Sequence, residues 1–257
     1  MSTPIFTGAG VALITPMNSD GSVNFDELGR LLEFQIENGT DAIIACGTTG
    51  EAATLSVEEH KAVLSYVAEK VNKRIPVIAG TGSNDTATAI SLSKSAQKYG
   101  ADGLLSVTPY YNKTSQAGLV KHFTTIADSV DLPIILYNVP SRTGCNMQPK
   151  TYAELEKHKN IVGVKEANGD ISSVSLTRSL CSDDFAIYSG NDDQTVPFMS
   201  LGGKGVISVF SNFCPKEMHE ICQACLDNDF QRAAEMNFHF VELMDIMFSD
   251  VNPIPVK

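Results

Sequence analysis

Eight short apolar runs alternate with amphipathic segments along most of the chain, and this alternation restricts the fold more than any other feature. The runs are GVALITP from residue 10, DAIIACG from 41, IPVIAGTG from 75, GLLSVTPYY from 103, PIILYNVP from 133, IVGVKEA from 161, FAIYSGND from 185 and GVISVF from 205. Segments between them, such as 25–35 and 57–71, show the apolar spacing of helices. Nearly continuous apolar runs are typical of parallel strands buried on both faces, so the pattern predicts right-handed βαβ units.

Eight such units close most naturally into a (β/α)8 TIM barrel. The alternative is an open doubly wound sheet, but the GxGxxG turn that follows its first strand is missing here. The length of 257 residues suits one barrel domain. We therefore expect an α/β TIM barrel over residues 1–226. Helical patterns over 217–227 and 230–248 go beyond a minimal barrel, so 227–257 is expected to start a C-terminal helical segment.

Composition and charge exclude several classes of protein. A net charge of −11 argues against nucleic acid as a partner, because phosphates require a basic face. No run of about 18 apolar residues is present, so no membrane span is expected. No Lys or Arg precedes Arg30, so the start lacks the basic region of a signal peptide, and the six scattered cysteines are typical of reduced thiols. These features favour a cytoplasmic protein.

Polar residues follow several of the predicted strands at their C-terminal ends, where the active site of a barrel forms. They are residues 47–51, with Thr48 and Thr49, after strand two, Tyr110 and Tyr111 after strand four, Tyr137 and Asn138 at the end of strand five, Lys165 and Glu166 at the end of strand six, and Gly190, Asn191 and Asp192 after strand seven. Because all these strand ends meet at one face, we expect the side chains to converge on one pocket.

Lys165 is the most informative of these residues. It follows four residues of an apolar strand, so it is expected to project into the barrel interior. Burial favours the neutral amine, which attacks carbonyls to form an imine that acts as an electron sink. Taken alone, it could also be a surface lysine at a strand end. Tyr137 could relay protons with Thr48 as its partner, although a core tyrosine is the commoner role.

Two loops offer groups that bind carboxylates. Small residues in the GTTG turn, which contains Thr48 and Thr49, leave free N–H groups for an anion, although the motif can also be only a tight turn. Arg142 lies in the loop after strand five, where a guanidinium suits a bidentate grip on a carboxylate. A solvated arginine is the alternative.

Metal and phosphate chemistry are not expected. All five histidines, at 60, 122, 158, 219 and 239, lie in predicted helical segments rather than at strand ends. His219, Cys222 and Cys225 share one helical face, but no fourth zinc ligand lies nearby. The glycine-rich run 202–205 precedes strand eight, at the opposite end from the active site. We therefore expect no metal and no cofactor.

The motifs GTTGE, YNVPSRTG and GVKEA, in this order and spacing, resemble the 4-hydroxy-tetrahydrodipicolinate synthase family of pyruvate-dependent class I aldolases. GVALITP, GTGSN, PYYNK and SGND also fit, so the likeness covers residues 5–257. The resemblance implies a TIM barrel that condenses pyruvate with L-aspartate 4-semialdehyde to 4-hydroxy-tetrahydrodipicolinate, in diaminopimelate and lysine biosynthesis. It also implies a homodimer or homotetramer without a cofactor.

The resemblance also implies roles for individual residues. Lys165 would form the imine with pyruvate. Tyr137 and Thr48 would join Tyr111, supplied by a neighbouring subunit, in a proton relay. The substrate-binding residues would be Thr49 for the pyruvate carboxylate, Arg142 for the carboxylate of the semialdehyde, and the backbone of Gly190 and Ile207 along the pocket.

Two other functions are compatible with a barrel that carries this lysine. Sialate and keto-deoxy-sugar acid lyases of the same superfamily share the fold, but they usually carry serine in place of Thr48 and lack Arg142. A non-catalytic barrel that binds keto acids is the second alternative, but such proteins have lost part of the site. Thr48 and Arg142 therefore favour the synthase.

The chain departs from the family at two places. Four positions match the family's lysine feedback site, namely Ala53, His60, Asn84 and Tyr110. Val57 and Thr88 stand where a histidine and an acidic or histidine ligand are common, so weak regulation is expected. Family members also continue past NPIPVK with further helices, which implies a chain truncated at its C-terminus.

Overall fold

The computed structural model describes residues 4–257, and its eight parallel strands close into a barrel in chain order. The strands are β1 (Gly8–Ala12), β2 (Ala42–Ala45), β3 (Val77–Gly80), β4 (Gly103–Val107), β5 (Ile134–Asn138), β6 (Ile161–Glu166), β7 (Ala186–Ser189) and β8 (Gly205–Ser208). Each predicted run overlaps one strand, so the predicted TIM barrel is confirmed. The strands are shorter than most runs, because the chain leaves the sheet to form the polar loops above it.

Helices fill the segments between the strands. They are α1 (Phe25–Glu37), α2 (Val57–Val71), α3 (Thr86–Tyr99), α4 (Gln116–Ala127), α5 (Pro140–Thr143), α6 (Pro149–Leu155), α7 (Ile171–Leu180), α8 (Thr195–Ser200), α9 (Pro215–Leu226) and α10 (Phe230–Ile246). Short polar side chains begin several of them; Ser56 and Glu59, for example, form a reciprocal capping box at α2. A cap of this kind stabilises a helix by about 1 kcal/mol.

Apolar side chains alternate between two layers along each strand. On β5, Ile135 and Tyr137 lie in the cluster that fills the barrel interior, while Leu136 packs in the outer cluster against the helices. On β6, Val164 also packs outward. Neighbouring side chains near the end of a strand therefore lie in different environments, one inside the barrel and the next against the helices.

Closure of the barrel depends on a glycine. Strand β8 pairs with β1 in the register Gly8↔Gly205, and Gly205 has a φ of 150°. A Cβ atom at this position would lie 1.9 Å from the carbonyl oxygen of Gly8. A side chain there would force the first and last strands apart.

The C-terminal region packs beside the barrel and then returns to its mouth. Met218 and Ile221 of α9 and Met244 of α10 form a third apolar cluster with Val206 and Phe210. The division of the chain after residue 226 stays a prediction. Among residues 4–257, no helix combines the length and apolarity needed to cross a lipid bilayer.

One prediction about the histidines is wrong. His158 lies in the turn after α6 rather than in a helix, where its ring bonds with Asp128 and with the backbone N–H of Asn160. Side-chain bonds to nearby loop groups compete with helix continuation, which accounts for the early end of α6 at Leu155. His158 still lies before β6, away from the C-terminal strand ends.

Candidate active site

Lys165 and Tyr137 lie together inside the upper end of the barrel. They are register partners on β6 and β5, and the Lys165 Nζ atom lies 4.5 Å from the centroid of the Tyr137 ring. Lys165 is only 5% exposed and Tyr137 is 6% exposed. Among the residues that the structure describes, none forms a hydrogen bond or ion pair with Nζ. A buried amine held against a phenol and otherwise unengaged can react with a small carbonyl compound.

Gly190 leaves the space that this amine needs. A Cβ atom at Gly190 would lie 3.1 Å from Cε of Lys165 and 2.6 Å from Cβ of Ala167. The Gly190 N–H donates to the Glu166 carbonyl at 2.8 Å, which fixes the loop beside β6. Any side chain here would crowd the lysine, so Gly190 lies against Lys165, while its contact with substrate stays a prediction.

A buried carboxylate from the loop after strand seven, that of Asp192, lies near the lysine. The Asp192 Oδ2 atom accepts backbone hydrogen bonds from Val209 at 3.1 Å and Phe210 at 3.0 Å, while Oδ1 is buried without a partner among residues 4–257. Burial raises the pKa of the Asp192 carboxyl, and its hydrogen bonds and the charge of Lys165 oppose that rise. Its strand-end position predicts a place near the pocket, but the sequence assigned it no role in the chemistry.

The loop after β2 forms one wall of the mouth. Thr48 is half-buried and its carbonyl accepts from the Glu51 N–H at 3.0 Å, which closes the GTTG turn. No hydrogen bond joins Thr48 to Tyr137 in the described part of the chain. Thr49 is buried, and its Oγ1 atom accepts from Nδ2 of Asn252 at 3.0 Å.

Asn252 links two predicted binding residues that lie far apart in sequence. Besides its bond to Thr49, its carbonyl oxygen accepts from Nη2 of Arg142 at 3.3 Å. Its own Oδ1 atom is buried and has no partner among residues 4–257. Sequence reasoning missed Asn252, because nothing local in NPIPVK shows that this segment returns to the mouth. Lys257 helps to hold it there through an ion pair with Glu51.

Tyr111 is not part of the pocket of its own chain. Its side chain is 91% exposed, and its backbone has a φ of 68°, which is uncommon for a tyrosine. Ile207, in contrast, is fully buried in the inner cluster with Tyr137. The structure therefore brings Lys165, Tyr137 and Gly190 together, joins Thr49 to Arg142 through Asn252, and leaves Tyr111 pointing away.

The predicted regulatory residues differ in their exposure. His60 is buried in α2, where burial lowers the pKa of its ring and Nδ1 has no partner among the described residues. Ala53 is exposed and Tyr110 is half-buried. Asn84 contributes its carbonyl oxygen to a hydrogen bond from Asn112 at 3.1 Å. Their shared role in regulation stays a prediction.

Groups that could bind metal do not cluster in the described residues. No set of three or more His, Cys, Asp or Glu side chains there has the arrangement of a metal site. His219 Nδ1 instead donates to Asp41 Oδ2 at 2.9 Å, below the barrel, and all six cysteines are unpaired thiols. The chemistry available at the mouth is that of an amine, a phenol and anion-binding groups.

Known proteins resemble the chain over nearly its whole length. The model of the dihydrodipicolinate synthetase family matches residues 5–257. A 4-hydroxy-tetrahydrodipicolinate synthase of Acetivibrio thermocellus is 56% identical over 257 residues, which are 100% of this chain and 87% of the relative.

Solved structures give the same result. A chloride-inhibited dihydrodipicolinate synthase from Acinetobacter baumannii, complexed with pyruvate, is 47% identical with a TM-score of 0.96, over 97% of this chain and 86% of that one. A monomeric dihydrodipicolinate synthase variant is 44% identical with a TM-score of 0.96, over 98% of this chain and 85% of that one.

Proposed function

The chain belongs to the dihydrodipicolinate synthetase family, and from this premise we propose how the mouth of its barrel works. The protein is a lyase of the class I aldolase type, and its reaction is the condensation of pyruvate with L-aspartate 4-semialdehyde to 4-hydroxy-tetrahydrodipicolinate. This reaction serves diaminopimelate and lysine biosynthesis. The assignment of residues to its steps is our proposal.

The position of Lys165 carries the proposal. Its amine is buried beside Tyr137 with Gly190 leaving room above it, and no described residue neutralises it by an ion pair. Nζ attacks the keto carbon of pyruvate, and loss of one water gives the imine. The imine nitrogen then accepts electrons when a proton leaves the pyruvate methyl group, which produces the enamine nucleophile.

Tyr137 is the group placed to move protons during these steps. Its ring contacts the Lys165 amine, so its hydroxyl is close to the atoms that gain and lose protons as the imine forms. Thr48, on the loop after β2, is the proposed partner in this relay. The backbone around Thr49 holds the pyruvate carboxylate, since the GTTG turn offers N–H groups at the mouth.

Arg142 and Asn252 form the site of the second substrate. The guanidinium binds the carboxylate of the semialdehyde, and the unpartnered Oδ1 atom of Asn252 accepts from its amino group. The enamine carbon attacks the aldehyde. The amino group then attacks the imine carbon, which closes the ring and releases Lys165. One water is lost in the complete reaction.

Tyr111 completes the site from a neighbouring copy of the chain. It is exposed and held in a left-handed backbone conformation, which suits a side chain that enters a partner. We therefore propose a homodimer or a larger homo-oligomer. The six free thiols suit a reducing compartment, and we place the enzyme in the cytoplasm.

Feedback by lysine is proposed to be weak. Thr88 offers no charge for an α-amino group, and Val57 offers no ring nitrogen. Ala53, His60, Asn84 and Tyr110 remain as proposed contacts. An inhibition assay with L-lysine checks this, and strong inhibition at micromolar lysine would contradict it.

A comparison of separate substrates tests the proposed function. The purified protein is assayed for condensation of pyruvate with L-aspartate 4-semialdehyde, and separately for cleavage of sialate and of keto-deoxy-sugar acids. We expect kcat/KM for condensation to exceed that for either cleavage by at least about 1,000-fold, since the second pocket binds the semialdehyde through a charged contact. Faster cleavage of a sugar acid would assign the protein to the lyases instead.

A further inference from the structure

A buried polar cluster lies directly behind the lysine and the tyrosine of the active site. The next residues on the same two strands, Asn138 and Glu166, are register partners that face the helices rather than the barrel interior. Asn138 is fully buried and Glu166 is 3% exposed. Tyr152, at 1% exposure on α6, reaches the cluster from the outer core.

The Glu166 carboxylate is the acceptor in each of its hydrogen bonds. Oε2 accepts from the Tyr152 hydroxyl at 2.6 Å, and Oε1 accepts from the Asn168 N–H at 3.0 Å. Both oxygens accept from Asn138 Nδ2, at 2.9 Å for Oε1 and 3.2 Å for Oε2. Burial raises the pKa of this carboxyl to about 7. Above that pH it is ionised and has no proton to donate, so it fixes the direction of each of these bonds. It therefore forces the NH2 group of the Asn138 amide to face β6.

With its NH2 group so oriented, the amide of Asn138 holds the far end of the Arg142 loop. Its Oδ1 atom accepts from the Met147 N–H at 3.0 Å, and its Nδ2 atom also donates to Asn146 Oδ1 at 2.8 Å. Residues 139–147, which include Arg142, thus leave strand β5 after Asn138 and return to the side chain of the same residue. An amide turned the other way would present a donor to the Met147 N–H and lose both bonds.

We propose that Glu166 is a positioning residue for the second substrate: its carboxylate orients the Asn138 amide, and that amide holds the loop that places the Arg142 guanidinium. Glu166 touches no substrate. The proposal rests on the assignment of Arg142 to the semialdehyde made above.

The isosteric variant Glu166→Gln tests it, because glutamine offers one donor and one acceptor where the carboxylate offers only acceptors. At pH 8, where the Glu166 carboxyl is ionised, KM is measured for each substrate with the other at saturation, and imine formation is measured by borohydride trapping with pyruvate. We expect KM for the semialdehyde to rise about tenfold, while KM for pyruvate and the extent of trapping change by less than about twofold. Asn168→Ala is the matched control, since its side chain bonds only toward α7, and both KM values should stay within about twofold.

A double-mutant cycle with Arg142→Ala separates positioning from a general structural effect. Without the guanidinium there is nothing to position. In the Arg142→Ala background, Glu166→Gln should therefore raise KM for the semialdehyde by less than about twofold. A tenfold rise of KM for the semialdehyde in the Arg142→Ala background would overturn the proposal. An equal rise of KM for both substrates in the Glu166→Gln single variant would also overturn it. If Glu166→Gln does not fold, Tyr152→Phe should give the same selective rise, at about threefold, and no rise would count against the proposal.

The cycle also separates failure of this inference from failure of the proposed function. If Arg142→Ala impairs pyruvate trapping as much as condensation, the assignment of Arg142 is wrong. Coupling between residues 166 and 142 is then read from whichever parameter Arg142→Ala changes. Additive effects on that parameter would overturn the positioning role, and less than additive effects would support it.

Discussion

Polar side chains at the base of the barrel differ from those at its mouth in whether they have hydrogen-bond partners. At the base, Asp41 accepts from the Ala9 N–H at 2.7 Å and pairs with His219, and Asp102 accepts from the Val77 N–H at 2.9 Å and pairs with Lys73. Each carboxylate fastens its own strand to the neighbouring one. At the mouth, no described residue bonds to the Lys165 amine, although it is buried.

This difference distinguishes structural polar groups from reactive ones. A buried polar group without a partner costs stability, so it persists where a ligand uses it. The carboxylates of Asp41 and Asp102 at the base are satisfied within the fold, whereas the Lys165 amine, Asp192 Oδ1 and Asn252 Oδ1 at the mouth have no hydrogen-bond partner among the described residues. Substitutions at the mouth should therefore change catalysis, and substitutions at the base should change stability.

The largest effect is expected where the mouth is shared between two chains. Tyr111→Phe and Lys165→Ala should each be nearly inactive, because each removes a group from every site. In a co-refolded mixture, a heterodimer has one site with Lys165 from the first chain and Tyr111 from the second. Activity should return, to at most roughly a quarter of wild type if chains pair randomly and sites act independently.

The control for this experiment is the assembly itself. Native mass spectrometry of the mixture must detect heterodimers before the activity is interpreted. If verified heterodimers are no more active than the separate variants, Tyr111 serves its own chain and the shared site is excluded.

The second largest effect is expected at Arg142. Arg142→Ala removes a charged contact to the second substrate, which typically costs about 2 to 5 kcal/mol. We expect kcat/KM for the semialdehyde to fall by the factor that corresponds to this free energy, with pyruvate trapping nearly unchanged. Steady-state kinetics and borohydride trapping measure the two effects, and an equal fall in both would make Arg142 a structural residue or a pyruvate ligand.

Some of these features can be predicted from the sequence, and others cannot. The periodicity of the apolar runs was sufficient for the eight strands and their order, since each run must be buried on both faces. Lys165 and Tyr137 followed from their places at neighbouring strand ends. Asn252 could not be found, because a contact with Thr49 across 203 residues leaves no local pattern. The prediction that Asn138 and Glu166 converge on the pocket with Tyr137 and Lys165 is wrong, because successive side chains of a strand point to opposite faces and these two lie on the side of the helices.

A pH-dependent effect on stability is expected from the same cluster. Burial raises the pKa of Glu166 from 4.5 to about 7, so the folded protein holds this proton more tightly than the unfolded chain does. Stability from this group is therefore present below pH 4.5 and is lost as the pH rises through about 7. Glu166→Gln removes the dependence, so between pH 5.5 and 8 the variant should gain about 2 kcal/mol relative to wild type.

Urea unfolding at the two pH values measures this difference. The raised pKa of Asp192 acts in the same direction, but it is present in both proteins and cancels. A constant difference between wild type and variant across this range would mean that the Glu166 carboxyl titrates alike in the folded and unfolded chains.

The smallest effect is expected at the base. Asp41→Asn keeps the shape of the side chain but replaces charge-assisted hydrogen bonds to Ala9 and His219 with neutral ones. This should lower the free energy of unfolding by about 1 kcal/mol and leave kcat/KM unchanged. Urea unfolding and a steady-state assay test both parts. Lost activity at unchanged stability would break the contrast between base and mouth.

The identity of the reactive amine is the central claim, and one measurement tests it most directly. The protein is incubated with pyruvate, reduced with borohydride, digested and examined by mass spectrometry, with Lys165→Ala as the control. One reduced pyruvyl group per chain, on Lys165 and absent from the variant, is the predicted result. A modified lysine elsewhere, or an unmodified wild-type chain that still catalyses the condensation, would contradict the account.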